Sequence, residues 1–165
     1  MILPDLLKHE LDLVICGTAA GNKSAKREAY YAGVGNLLYQ TLARCAFTSR
    51  QLNPTEYPEL LDYNIGLTDL AKFTFGMDKD LKPSDYDIKS FTDKILVYQP
   101  RFVCFNGKTA ASMFLNVDNT KLINYGLQEH VIGATRIFIA PSTSPRAYAY
   151  WDESTWASLR TLIKS

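Results

Sequence analysis

What the chain lacks narrows its possibilities first. Its three cysteines, Cys16, Cys45 and Cys104, are far apart and odd in number. That excludes a disulfide scaffold and offers no ligand spacing for zinc or an iron–sulphur cluster. Net charge is only +1, so no global field draws the chain to nucleic acid or a membrane surface. Any DNA contact needs a local basic patch. No apolar run approaches the ~20 residues of a membrane span. Residues 1–12 carry Asp5, Lys8, Glu10 and Asp12 where a secretory signal needs an apolar core. The cysteines therefore read as reduced core residues of a cytoplasmic protein. His9 and His130 fall in no motif. The GxGxxG of a dinucleotide-binding turn does not occur. A GKT does, in Asn106-Gly107-Lys108-Thr109, but Phe102 stands where a phosphate-binding loop needs its first glycine.

What is present describes an ordinary globular chain, 47% apolar and 21% charged in 165 residues. Residues 1–165 fit one domain with a substantial core. Strand and helix patterns alternate, which predicts an α/β fold, a three-layer α/β/α arrangement around a four-stranded, mainly parallel sheet. The strands are expected near Asp12–Cys16, Tyr63–Thr68, Arg101–Phe105 and Thr135–Ala140. Helices are expected over Asn36–Ala46, over Thr55–Asp62 with Thr55 as cap, and from a cap at Ser84 to Tyr98. Two more are expected over Lys108–Leu115 and from Asp152 or Ser154 to Ile163. Residues 72–83, rich in Lys, Asp, Gly and Pro, read as irregular. There is no internal repeat or linker.

In such sheets ligands bind where the strands end. Four places should then share one crevice: Gly17–Gly21, Asp69, Asn106 and Ser142–Arg146. The first opens the most distinctive stretch, Leu13 to Gly35. A buried run, Leu13-Val14-Ile15-Cys16, breaks into Gly17-Thr18-Ala19-Ala20-Gly21, followed by a basic loop with Tyr30 and Tyr31. Small residues let backbone approach a ligand closely. Tyrosines supply a stacking surface.

These pieces, in order, resemble the uracil-DNA glycosylase superfamily, nearest its mismatch-specific uracil/thymine branch. That branch opens with G-I-N-P-G, then S-A, an aromatic and a G/A-N stretch. Here stand Gly17-Thr18-Ala19-Ala20-Gly21, Ser24-Ala25, Tyr31-Ala32-Gly33 and Asn36. Its middle tyrosine and G-[VF]-T appear as Tyr63-Asn64-Ile65-Gly66-Leu67-Thr68, its G-K as Gly107-Lys108, and its aromatic-G-x-Q as Tyr125-Gly126-Leu127-Gln128. The closing N-P-S-G or H-P-S-P appears as Ser142-Thr143-Ser144-Pro145. The resemblance covers residues 12 to 160. Two departures touch the chemistry. Ala19 stands where most branches place Asn or Asp beside the attacking water, and Ser142 replaces His or Asn. Branches that lack the first residue and hold an iron–sulphur cluster use four cysteines, which this chain does not have.

The resemblance implies a monofunctional glycosylase that hydrolyses uracil from DNA in base-excision repair and releases free uracil. It acts without cofactor or metal, as a monomer. The alternatives are a silent uracil- or DNA-binding protein of the same fold, or a glycosylase for hypoxanthine or mismatched thymine. The turn Gly17, Thr18, Ala19, Ala20 and Gly21 would hold the base, with Tyr31 stacking on it. Asp69 would either accept the base N3–H or take a proton from water, or else only cap a helix. Asn106 would read the base or position water, or simply turn the chain. Ser142 and Ser144 would hydrogen-bond phosphate or the leaving oxygen, or satisfy local backbone. Lys23, Ser24 and Arg146 are expected at the DNA, with Lys26 and Arg27 in the same patch; the plainer reading of these cations is a solvated face.

Overall fold

A computed structural model describes residues 2–73, 75–76 and 85–165. The strands are β1 (Leu13–Gly17), β2 (Ile65–Asp69), β3 (Phe102–Asn106), β4 (Gly126–Ile132) and β5 (Thr135–Ala140). They form one sheet in the order β2-β1-β3-β5-β4. The β1–β2, β1–β3 and β3–β5 pairs are parallel, and β4 runs antiparallel to β5. The sheet therefore has five strands rather than the expected four. The missed one is an edge strand in which Leu127, Glu129, His130 and Val131 are exposed. It carries none of the apolar run that marks a buried parallel strand. A register shift between Leu127 and Val131 is a common way to blunt such an edge.

Helices cover both faces. On one, α2 (Leu38–Arg44) and α5 (Glu153–Lys164) pack with Tyr30 onto Leu13, Ile15, Ile65, Leu67, Phe102, Cys104 and Phe138. On the other, α3 (Ile88–Tyr98) and α4 (Lys108–Leu115) pack onto Val14, Cys16, Val103, Phe105, Ile137 and Ile139. These are the three layers expected from the alternation. A short helix, α1 (Asn22–Arg27), lies where an irregular loop was expected; its sequence, NKSAKR, has no apolar period to announce it.

Helix starts follow the acid and amide residues. Asn53, not Thr55, caps a 3-10 helix over Pro54–Tyr63, in a capping box with Glu56. Asp87 caps α3, accepting from the Ser90 N–H, and Asp152 caps α5, accepting from the Ser154 N–H. The cap expected at Ser84 lies outside the described residues, as do residues 74 and 77–83 of the expected irregular stretch. The edge of β2 is covered by the N-terminal segment, where Leu6 and Leu67 exchange backbone hydrogen bonds of 2.9 Å. Gly66 makes this possible, because a Cβ there would stand 2.5 Å from the Leu6 carbonyl oxygen.

Candidate functional site

The period of two along a strand brings the site together. Gly17, Asp69 and Asn106 end β1, β2 and β3 on the face that carries Ile15, Leu67 and Cys104. Gly17 pairs in register with Asp69 and Asn106 with Ala140. The expected convergence of the strand ends is what the sheet produces. The turn after β1 is fixed to the segment after β2: the carbonyls of Gly17, Thr18 and Ala20 accept from Leu70, Ala71 and Gly76 at 3.0, 2.7 and 2.9 Å.

Gly17 is the central position, and its missing side chain is used. A Cβ there would lie 2.9 Å from Asp69 Oδ1 and 3.0 Å from the Tyr31 hydroxyl. The carboxyl and the phenol thus both stand over the end of β1. Tyr31 adopts a left-handed backbone (φ 53°), uncommon for a side chain of its size. Its neighbours hold it there: Ser24 Oγ accepts from the Ala32 N–H at 3.0 Å, Arg27 donates to the Ala32 carbonyl at 3.0 Å, and Tyr39 donates to the Tyr30 carbonyl at 2.5 Å. Tyr31 is half-buried, and its hydroxyl is buried with no well-aligned hydrogen bond, Asn106 being its weak polar neighbour. Burial, then the Asp69 charge, pushes its pKa well above the ordinary phenol value. The second N–H of the Asn106 carboxamide pulls the other way. Asn106 Nδ2 donates to Thr143 Oγ1 at 2.9 Å, and its Oδ1 accepts from the Thr143 N–H at 3.0 Å.

Asp69 is the chemically charged element. It is 5% exposed. Burial, reinforced by the Asp5 carboxylate, raises its pKa from 3.8 to about 6, while Lys72 and Lys94 pull it down. No hydrogen bond is among these influences. A nearly buried carboxyl that titrates near neutrality is the usual form of a general base or acid. A cavity of about 200 Å³ opens beside it, lined by Asp69, Lys72, Phe73, Ser90, Phe91 and Lys94 among others.

Both lysines of that cavity are held by Asp5. Lys72 Nζ lies 3.1 Å from Asp5 Oδ1, Lys94 Nζ pairs with Oδ2, and Thr68 Oγ1 donates to Oδ1 at 2.5 Å. Burial works against the Asp5 charge, but Lys72, Lys94 and Thr68 together keep its carboxyl below 3.8. Lys72 also donates to the Tyr30 hydroxyl at 2.9 Å. Asp5, Lys72 and Lys94 come from three separate segments, and nothing in their local sequence marks them. Thr143, 1% exposed, was equally invisible as the partner of Asn106.

The remaining expected residues divide into those facing outward and those that build the site. Lys23, Lys26, Arg27 and Arg146 are exposed. Ser24 is 6% exposed and turned inward to Ala32. Ser142 Oγ accepts from the Ser144 N–H at 3.2 Å, and Ser144 caps a 3-10 helix over Pro145–Tyr150 by accepting from the Arg146 N–H at 3.3 Å. This loop is pinned to the crevice at three points. Trp156 Nε1 donates to the Pro141 carbonyl at 3.0 Å, the Leu37 N–H donates to the Thr143 carbonyl at 2.9 Å, and Gly107 leaves only 3.0 Å between a would-be Cβ and Ser142 Cβ. Ala19, half-exposed in the turn, brings only a methyl group to the site.

A mainly parallel sheet with a small-residue turn, a buried carboxyl and a serine loop gathered at its carboxyl edge defines an α/β protein with a crevice at the strand ends. Residues 4–162 match the model of the uracil DNA glycosylase superfamily, and the chain belongs to that superfamily. The fold is also that of a Methanosarcina acetivorans protein solved by solution NMR and provisionally named a uracil DNA glycosylase. The two share 16% identity at a TM-score of 0.68, over 99% of this chain and 97% of that one. No described helix is long and apolar enough to cross a membrane.

Proposed function

We propose that the protein is a monofunctional DNA glycosylase that removes uracil from DNA by hydrolysing the bond between base and deoxyribose. The observation that carries this reading is the buried, raised-pKa carboxyl of Asp69 facing the Gly17 turn at the strand ends. Excision breaks the C1′–N1 bond, and the bonding pair leaves with the base, whose carbonyl oxygens gain negative charge. The sugar becomes cation-like and is captured by water, which gives its proton to the Asp69 carboxylate. Asp69 then supplies what Ala19 cannot. Its ionised form also favours positive charge developing on the sugar. Backbone donors around the Gly17–Gly21 turn are the natural partners for the departing anion. In this reading the Tyr31 ring stacks on the extruded base once its hydroxyl has moved off Gly17. The clamp between Asn106 and Thr143 gives Asn106 a bracing role in this resting arrangement, so Asp69 rather than Asn106 is the proposed base.

The second reading is a silent uracil- or DNA-binding protein. The position of the Tyr31 hydroxyl over Gly17 favours it, because that space must open before a base is seated. The experiment that separates the two uses end-labelled oligonucleotides with one uracil, and matched strands with hypoxanthine or a T·G pair. Hot alkali after incubation cuts any abasic site. Cleavage at uracil supports the enzyme. Cleavage only at hypoxanthine or thymine moves the substrate, and no cleavage by folded, DNA-binding protein supports the silent reader.

A further inference from the structure

The exposed aromatic side chains have a distribution that excision does not explain. Among the described residues, those of Phe73, Phe75, Tyr148 and Tyr150 are exposed, at 75%, 51%, 49% and 70%. Every other described Phe, Tyr or Trp is buried or half-buried. All four follow the carboxyl ends of β2 or β5. The large exposed aliphatics elsewhere, such as Leu96, Val97, Leu122 and Val131, lie in α3, the 3-10 helix Thr120–Leu122 and β4. Single apolar residues on a surface are ordinary; four rings gathered at one end of a sheet are not.

The rings are tied to the crevice. Phe75 forms a parallel bridge with Ala20 of the Gly17–Gly21 turn. Phe73 lines the cavity beside Asp69. Tyr148 donates through its hydroxyl to the Gly35 carbonyl, joining the two loops that frame the site. Tyr150 lies close enough to Tyr125 to act on its phenol, and Lys108 sits 4.4 Å over the Tyr125 ring. The exposed cations here are Lys23, Lys26 and Arg27 on α1, and Arg146 in the loop after β5 that carries Tyr148 and Tyr150.

We propose that this rim is a platform for single-stranded DNA, on which unpaired bases flanking the one in the crevice stack. This inference rests on DNA being the partner under the reading above. Duplex binding is driven by phosphate contacts, and a chain of net charge +1 with Lys23, Lys26, Arg27 and Arg146 as its exposed cations here offers it a small footprint. A duplex also hides its base faces within its own stack. A single strand exposes a π-face at every base, and stacking on aromatic side chains contributes in a sequence-tolerant way. Rings on the surface and few cations are the composition that favours the single strand.

The test is fluorescence anisotropy with a labelled, uracil-free oligonucleotide, alone and annealed to its complement, at matched salt. Leaving out uracil separates platform binding from base capture, so a failed excision assay and a failed platform are distinct results. The single strand is expected to bind at least about tenfold tighter than the duplex. Phe75→Ala and Tyr150→Ala are each expected to weaken single-strand binding by about fivefold or more, with the duplex little changed. Both side chains are exposed, so folding is checked simply by circular dichroism. Equal or tighter duplex binding overturns the proposal, as does an equal loss on both forms. Binding of neither form, or dimerisation lost in the same variants, overturns it too.

Discussion

Asp69 sets activity against stability, and Asp69→Asn measures the conflict. In the unfolded chain its carboxyl titrates near 3.8, and in the fold near 6. The folded state therefore binds the proton more tightly. The contribution of the neutral form to stability is full below about pH 4 and is lost as pH rises through 6. At neutral pH the buried carboxylate costs about 3 kcal/mol, from about two pKa units at 1.36 kcal/mol each. The carboxamide of Asp69→Asn is uncharged at every pH and shares the shape of the acid. The variant should gain about 3 kcal/mol at pH 7 relative to any difference at pH 4. For a chain of this length that corresponds to a rise in Tm of roughly 6–12 °C. Thermal and urea unfolding of both proteins at pH 4 and pH 7 provide the measurement. A gain that is absent, reversed or equal at the two pH values would refute the placement of a buried carboxyl, only partly offset by Lys72 and Lys94, over Gly17.

Other perturbations probe the neighbours of Asp69. Excision should fall as pH drops through 6, and Lys94→Met should move that limb to higher pH, because a cation that holds the carboxyl ionised is gone while Asp5 remains; a single-turnover pH profile reads this, and an unmoved limb counts against it. Gly17→Ala drives a methyl group against Asp69 Oδ1 and the Tyr31 hydroxyl, so it should cost about 1–3 kcal/mol by overpacking and slow excision about 100-fold by displacing both groups; full activity would remove that contact from the mechanism. Tyr31→Phe deletes a buried hydroxyl that has only a weak interaction with Asn106 and should raise stability by up to about 1 kcal/mol; a loss of stability in denaturant would show that the hydroxyl is well satisfied.

The parts of this molecule legible in its sequence are those set by local patterning. Thr135–Ala140 and Lys108–Leu115 run where apolar runs and period say they should, and the strand ends gather as parallel connections require. The unseen parts are those decided by tertiary pairing. Strand β4 shows exposed polar residues because only one neighbour claims it, and α1 is too short for a periodic signal. At the site, Gly17 and Asp69 stand at the ends of readable strands, so their meeting follows from the topology. The Asp5 carboxylate is different. It reaches Lys72 and Lys94 across 67 and 89 positions of chain (72 − 5 and 94 − 5), and no spacing rule connects them. Asn106 was legible as a strand-end amide, but its engagement by Thr143 depends on a loop that Trp156 and Leu37 hold from other elements.

The most direct measurement is single-turnover excision of uracil from a labelled oligonucleotide by the wild type and by Asp69→Asn, with DNA affinity measured alongside. The account predicts uracil release by the wild type, a large loss of rate in the variant, and nearly unchanged affinity. Excision at the wild-type rate by Asp69→Asn would contradict it.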